Sequence, residues 1–109
     1  MARNQIPGRY VSHELPISAE KYIIEKKPEL LAICFEEPDH TGHTKGHDTP
    51  AYYQMLKELD GYVERILQAI KKAGIWDDTI IIMTADHGGI KTGHGGKTLR
   101  EMEIPFIIS

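Results

Sequence analysis

Cysteine is almost absent: Cys34 is the single thiol in 109 residues. One thiol excludes an internal disulfide and every zinc ribbon built on cysteines. Its place in the apolar run of residues 30–35 reads as a buried core position. Long apolar runs are missing as well. No stretch approaches the roughly 18 apolar residues of a membrane span, and the N-terminal MARNQIPGRY lacks the apolar region of a secretory signal. Charge of one sign is also lacking. Thirteen Lys and Arg stand against 16 Asp and Glu, a formal net charge of -3. Such a balance gives no basic footprint for a nucleic-acid polymer or for a membrane surface. Hydrophobic residues at 40% and charged residues at 27% are ordinary for a soluble globular protein. The length admits one small domain with a modest core.

Histidine is what the chain has in quantity. Five of its six histidines, His40, His43, His47, His87 and His94, fall between positions 40 and 94 in glycine-rich stretches. Asp39 and Asp86 each stand directly before a histidine.

The order of elements follows from punctuation and periodicity. Residues 1–17 mix Pro, Gly, Asn and Ser without a period and read as irregular. Ser18 is placed to cap a short helix over 19–26, ended by Pro28. The run LLAICF, bounded by Pro28 and Pro38, predicts a strand buried on both faces, as in parallel sheets. DHTGHTKGHD, residues 39–48, has no period and reads as a loop at that strand's carboxyl end. Thr49-Pro50 then opens a helix over 50–73, with Thr as N-cap and Pro in the first turn. Tyr52, Met55, Leu56, Leu59, Tyr62, Val63, Ile66, Leu67 and Ile70 recur every three or four residues and give that helix an apolar face. Gly74 closes it. Residues 79–84 predict a second buried strand, and residues 104–109 a third short one. The sum is an α/β fold: a βαβ unit with a long right-handed crossover helix, in a three-layer parallel sheet. Residues 1–29 form an irregular lead with a short helix, and 30–109 the βαβ core. Both histidine-bearing loops then emerge at the carboxyl edge of the sheet, where open α/β sheets place their sites.

The loop residues are of metal-ligand type. Asp39 and His43, four apart, can turn to one cation, and zinc accepts both Asp oxygen and His nitrogen. Asp86-His87 ends a strand and is followed by Gly88-Gly89, which leave room for a metal or an oxyanion. His94 is a possible third nitrogen ligand or an oxyanion donor. Lys97 is a point charge suited to a phosphate or sulfate oxygen. His40 and His47 read as exposed loop histidines, with a contact behind a ligand or to the substrate as the alternative for either. Several Asp and His ligands without a cysteine cluster suit hydrolytic zinc, and another divalent ion is compatible with the same donors.

These residues resemble a known family. EPDHTGHTKG looks like the P-D-x-x-G-H-x-x-G segment of type I phosphodiesterases and nucleotide pyrophosphatases, in the alkaline phosphatase superfamily. DDTIIIMTADHGG is similar to that family's strand ending in Asp-His-Gly, and GHGGKTLREMEIPFII resembles the segment that follows there and in sulfatases. The resemblance implies a two-zinc hydrolase of phosphate esters or nucleotide pyrophosphate bonds. Carried over, Asp39 and His43 hold one zinc, Asp86 and His87 the other, and Lys97 contacts the ester oxyanion. His94 is left as a neighbour or a further ligand. The family's nucleophile segment has no counterpart upstream of Asp39, so the expectation is a fragment of a larger catalytic domain, inactive alone. The parent's compartment is left open, secreted or periplasmic being compatible. Two alternatives stand beside this: a sulfatase-branch hydrolase or phosphomutase of the same superfamily, and a non-catalytic metal-binding or interaction module. The substrate is then a small phosphate (or sulfate) ester, and exposed sheet edges allow a homo-oligomer.

Overall fold

A computed structural model describes residues 15–109. The irregular lead expected over 1–17 lies mostly outside them. The described elements are α1 (Leu15–Lys26), α2 (Glu37–Lys45), α3 (Pro50–Lys72), a single 3-10 turn (Trp76–Asp78), β1 (Ile82–Thr84), α4 (Leu99–Met102) and β2 (Phe106–Ile108). They form a mixed α/β chain that divides into two compact units. One comprises residues 15–37 and 57–79 of the described chain, the other 38–56 and 80–109.

The first unit holds the apolar core. Pro16, Ala19 and Ile23 of α1 are buried, as are Ala69 and Ile70 of α3 and Ala73 just beyond it. The α1 helix starts before the expected Ser18, because Pro16 fits the first turn, where its missing N–H is not needed. It stops at Lys26, and Lys27 takes a left-handed φ of 45° while its N–H bonds to Ile23 O at 3.0 Å. Glu20 pairs with Arg65 at 3.0 Å, and Phe35 stacks on Tyr62 with centroids 6.4 Å apart. Lys71 lies 4.7 Å over the Trp76 ring.

Residues 30–35 depart from the expected buried strand. They pair with no other strand among the described residues. Their burial alternates: Leu31, Ile33 and Phe35 are half-buried, while Ala32 and Cys34 are exposed. The side-chain period of two is that of an extended segment covered on one side only. Cys34 falls on the open side, so the core position expected for it is not found.

The second unit contains the only ladder described. β1 and β2 pair antiparallel, Ile82 opposite Ile108, Met83 opposite Ile107 and Thr84 opposite Phe106. The expected strands at 79–84 and 104–109 therefore exist in shortened form. Among the described residues they meet each other and not a parallel neighbour, because the connection between them is a loop and the one-turn helix α4, not a crossover helix. All six strand residues are exposed, where the strand over 79–84 was expected to be buried.

The expected loop at 39–48 is helical in its first part. α2 runs to Lys45, and Gly46, at φ 94°, ends it with its N–H bonded to Gly42 O at 3.0 Å. The helix expected over 50–73 forms as α3. Thr49 Oγ1 accepts the N–H of Tyr52 at 3.2 Å and donates to Gly46 O at 2.7 Å. Gly74, at φ 76°, follows its end. Thr49→Ala therefore removes an N-cap and the tie back to Gly46, and should lower unfolding stability by about 1 kcal/mol in urea titration, with Thr49→Ser keeping most of it.

Candidate metal centre

One helical turn separates Asp39 from His43, so α2 presents both on the same face. Asp39 Oδ1 lies 3.3 Å from His43 Nε2, 3.3 Å from His94 Nε2 and 3.6 Å from His87 Nε2. His43 Nε2 and His94 Nε2 are 3.0 Å apart. The His87 and His94 rings stack with centroids 3.7 Å apart and 17° between their planes. The ligand atoms of Asp39, His87 and His94 all lie within 4.8 Å of one another, and His43 closes on two of them.

The imidazoles are oriented from behind. His43 Nδ1 meets Thr92 O at 2.8 Å, and His87 Nδ1 meets Gly88 O at 2.7 Å. A carbonyl oxygen can only accept, so both Nδ1 atoms carry the proton and both Nε2 atoms present lone pairs to Asp39. Asp39 Oδ1 is itself buried and has no hydrogen-bond partner. A carboxylate oxygen facing imidazole lone pairs at these separations is repulsive unless a positive charge stands among them.

The segment after β1 is shaped by glycines. Gly88 N–H donates to Glu101 O at 2.9 Å and Gly89 N–H to Arg100 O at 2.8 Å. A Cβ at Gly88 would stand 2.0 Å from Arg100 O, so only glycine fits there. Ile90 and Gly93 bridge across a two-residue turn in which Lys91 takes a φ of 51°. That turn aims the carbonyls of Lys91 and Thr92 at His47 and His43.

The remaining expected residues sit apart from the centre. Asp86 is at its rim, 3.6 Å from His87 Nε2 with its side chain 90% exposed. His87 thus gathers with Asp39 and His94, where separate pairings of 39 with 43 and 86 with 87 were expected. Lys97 is exposed and makes no ion pair among the described residues. His40 is exposed, and its carbonyl accepts the Thr44 hydroxyl at 2.9 Å. The two ligand-bearing segments do come side by side, but a helix and a glycine turn bring them there, not two parallel strands.

Two features escaped the sequence reading. Tyr52, counted only as part of an apolar helix face, packs its ring on His47 with centroids 5.3 Å apart. Burial raises its phenol above the ordinary value of 10.0, and the nearby Asp39 charge adds to this. Glu101 organises the loop before α4: its carboxylate accepts the Thr98 hydroxyl at 2.6 Å, the Gly96 N–H at 3.0 Å and the Thr98 N–H at 3.3 Å. The T-x-x-E spacing of Thr98 and Glu101 was the available signal.

A carboxylate and three imidazoles, all of metal-ligand type, thus gather in one unit of an α/β chain. The chain belongs to the type I phosphodiesterase / nucleotide pyrophosphatase family, whose model matches residues 7–103. It is 28% identical over 92 residues to human ectonucleotide pyrophosphatase/phosphodiesterase family member 5, covering 77% of this chain and 19% of that protein. It is 43% identical over 60 residues to the bis(5'-adenosyl)-triphosphatase enpp4 of Xenopus laevis, covering 54% and 13%. With mouse ectonucleotide pyrophosphatase/phosphodiesterase family member 7 it shares 34% over 68 residues, covering 62% and 16%. The chain therefore spans under a fifth of the length of these relatives. No solved structure gives a significant match.

The Thr98 hydroxyl bond first, then the two backbone N–H groups and, least, the nearby His94 imidazole, hold the Glu101 carboxyl below its ordinary 4.5 despite partial desolvation. A lowered folded-state pKa stabilises fully above the unfolded value and is lost as pH falls through the folded one. The stability gap between the wild type and Glu101→Gln should thus be widest at neutral pH and close progressively below about pH 4.5 in denaturant titrations.

Proposed function

We propose that this chain carries the metal-binding part of a phosphoric ester hydrolase acting on phosphodiester or nucleotide pyrophosphate bonds. The observation that carries the reading is the orphaned Asp39 Oδ1, buried without a hydrogen bond among imidazole nitrogens. Asp39, His43, His87 and His94 fit a divalent ion. Donors at about 2.0–2.1 Å from a tetrahedral zinc lie about 3.3–3.4 Å from each other; Asp39 to the three imidazoles and His43 to His94 run from 3.0 to 3.6 Å, and the donors of Asp39, His87 and His94 all fall within 4.8 Å. Nitrogen and oxygen donors in that ratio favour zinc over calcium or magnesium. Family membership supports the same assignment, and the relatives' activities as their names give them supply the substrate class.

When bound, a divalent ion supplies Lewis acidity and a water that ionises near neutral pH. The chain's own groups do the rest. The carbonyls of Thr92 and Gly88 fix the tautomers of His43 and His87 and raise their basicity as donors. Asp86, exposed beside His87, is the free carboxylate for a second ion of the expected two-zinc centre. Lys97, exposed and unpaired among the described residues, is free to meet a phosphoryl oxygen. The expected three-layer parallel sheet would set these strands beside parallel neighbours, and no nucleophile is assigned among the described residues.

In the full-length protein, zinc removal by a chelator should abolish hydrolysis of bis-p-nitrophenyl phosphate, and added zinc should restore it. Asp39→Asn and His94→Ala should each lower metal affinity by more than the 10–100-fold typical of losing an outer-shell partner. A metal-free protein without activity on phosphate mono- or diesters would end the proposal. Retained tight metal binding without any hydrolysis would point instead to a metal-binding module.

A further inference from the structure

His47 belongs to neither expected metal pair, and the sequence reading left it as an exposed loop histidine. The structure gives it a defined seat. Its ring is half-buried in a slot between two glycines. A Cβ on Gly42 would fall 2.2 Å from His47 Nε2, and one on Gly89 would fall 2.3 Å from His47 Cδ2. Gly42 directly precedes the ligand His43 on α2, and Gly89 lies two residues after the ligand His87. One imidazole edge therefore separates, and spaces, the two backbones that carry the metal donors.

Hydrogen bonds fix that ring in place. Lys91 O accepts both the backbone N–H of His47 at 2.6 Å and its Nδ1–H at 3.0 Å. The next carbonyl, Thr92 O, accepts Nδ1–H of His43 at 2.8 Å. Two consecutive carbonyls of one tight turn are thus held by two histidines of the other segment. Lys91 takes a left-handed φ of 51° in that turn, a conformation strained for a non-glycine residue. Tyr52 closes the remaining side of the ring.

We propose that His47 is a positioning residue that clasps the helix bearing Asp39 and His43 to the loop bearing His87 and His94, and thereby sets the spacing of the metal donors. This rests on the metal-site reading above. His47 is not a ligand: its Nδ1 is spent on Lys91 O, and its Nε2 edge faces the two glycines. Asparagine places an amide N–H close to where Nδ1–H stands, so it can keep the bond to Lys91 O while shortening the ring.

The test is cobalt and zinc binding by the full-length protein, read by competition with a chromophoric chelator and by the visible spectrum of the cobalt form. His47→Ala should weaken binding about 10–100-fold, while the spectrum at saturation keeps the wild-type band positions and intensity. His47→Asn should recover most of the affinity, and Gly89→Ala, which fills the slot, should lose affinity like His47→Ala. Circular dichroism of each variant separates loss of fold from loss of spacing, and His47→Asn carries the test if His47→Ala unfolds. Wild-type affinity in His47→Ala, with affinity lost in His94→Ala, would overturn the clasp and leave the metal site standing. A changed cobalt spectrum at saturation in both His47 variants would overturn it differently, by making His47 a ligand. Unchanged affinity in His94→Ala would remove the metal site and the clasp with it.

Discussion

A buried carboxylate oxygen without a hydrogen bond is the constraint on which the second unit turns. Asp39 Oδ1 meets three imidazole Nε2 atoms at 3.3–3.6 Å and bonds to none of them. Burying an unpaired polar atom costs on the order of 1–3 kcal/mol, more when it is charged. The neighbouring lone pairs are held in place from behind, by donation from Nδ1 to main-chain carbonyls, and so cannot turn away to relieve it. The arrangement is stable in proportion to the positive charge that enters it. On the proposed metal-site reading, it is the form a preorganised cation site takes when the protein, and not the cation, sets the directions of the donors.

That constraint weighs the more because little else holds this unit together. Among the described residues, the buried side-chain core of the chain lies in the first unit, at Pro16, Ala19, Ile23, Ala69, Ile70 and Ala73. The fully buried positions of the second unit are Gly42 and Gly46, which bring no side chain. Its order comes from close backbone approach and from polar ties: Gly88 and Gly89 on α4, Glu101 on the 96–98 loop, Thr49 on Gly46, His47 on Lys91. A bound ion adds folding free energy directly where the site is incomplete in the unfolded chain. On that reading, metal binding and local folding in the second unit would be coupled more tightly than around a large apolar core.

How much of this was legible in the sequence depended on which force shapes each part. α3 was readable nearly to the residue, because Thr49-Pro50, a three-to-four apolar period and Gly74 all report the same helix. α2 was invisible to the same logic: EPDHTGHTK has no apolar side to show a period, and its helix is stabilised by what its polar side faces. Asp39 and His43 were still recognised, because a spacing of four suits a ligand pair in a helix as well as in a loop. The strands were found but not their partners, since periodicity reports an extended segment and says nothing of its neighbours. Cys34 was placed in a core by its apolar company, yet extended backbone sends alternate side chains to opposite sides, and Cys34 has the uncovered one. His47 could not be told from an exposed loop histidine. Its role depends on glycines at 42 and 89, five residues away and 42 residues away, that the fold brings to one ring.

The β1–β2 ladder links these strands of argument. Ile82, Phe106, Ile107 and Ile108 are each more than half exposed, and Met83 is 39% exposed. A lone two-stranded ladder is marginally stable in water, and apolar residues open on both faces make it costlier to solvate. Yet β1 leads directly into Asp86 and His87, and β2 follows the α4 turn from which Gly88 and Gly89 hang. Covering those apolar faces would fix the register of Thr84 against Phe106 and, through the Thr84 hydroxyl on Pro105 O, the start of the ligand-bearing segment. On the metal-site reading, cover over the ladder and charge within the centre would reinforce each other: a rigid ladder would hold His87 at its distance from Asp39, and an ion at Asp39 would resist any slip of the strand that leads into His87.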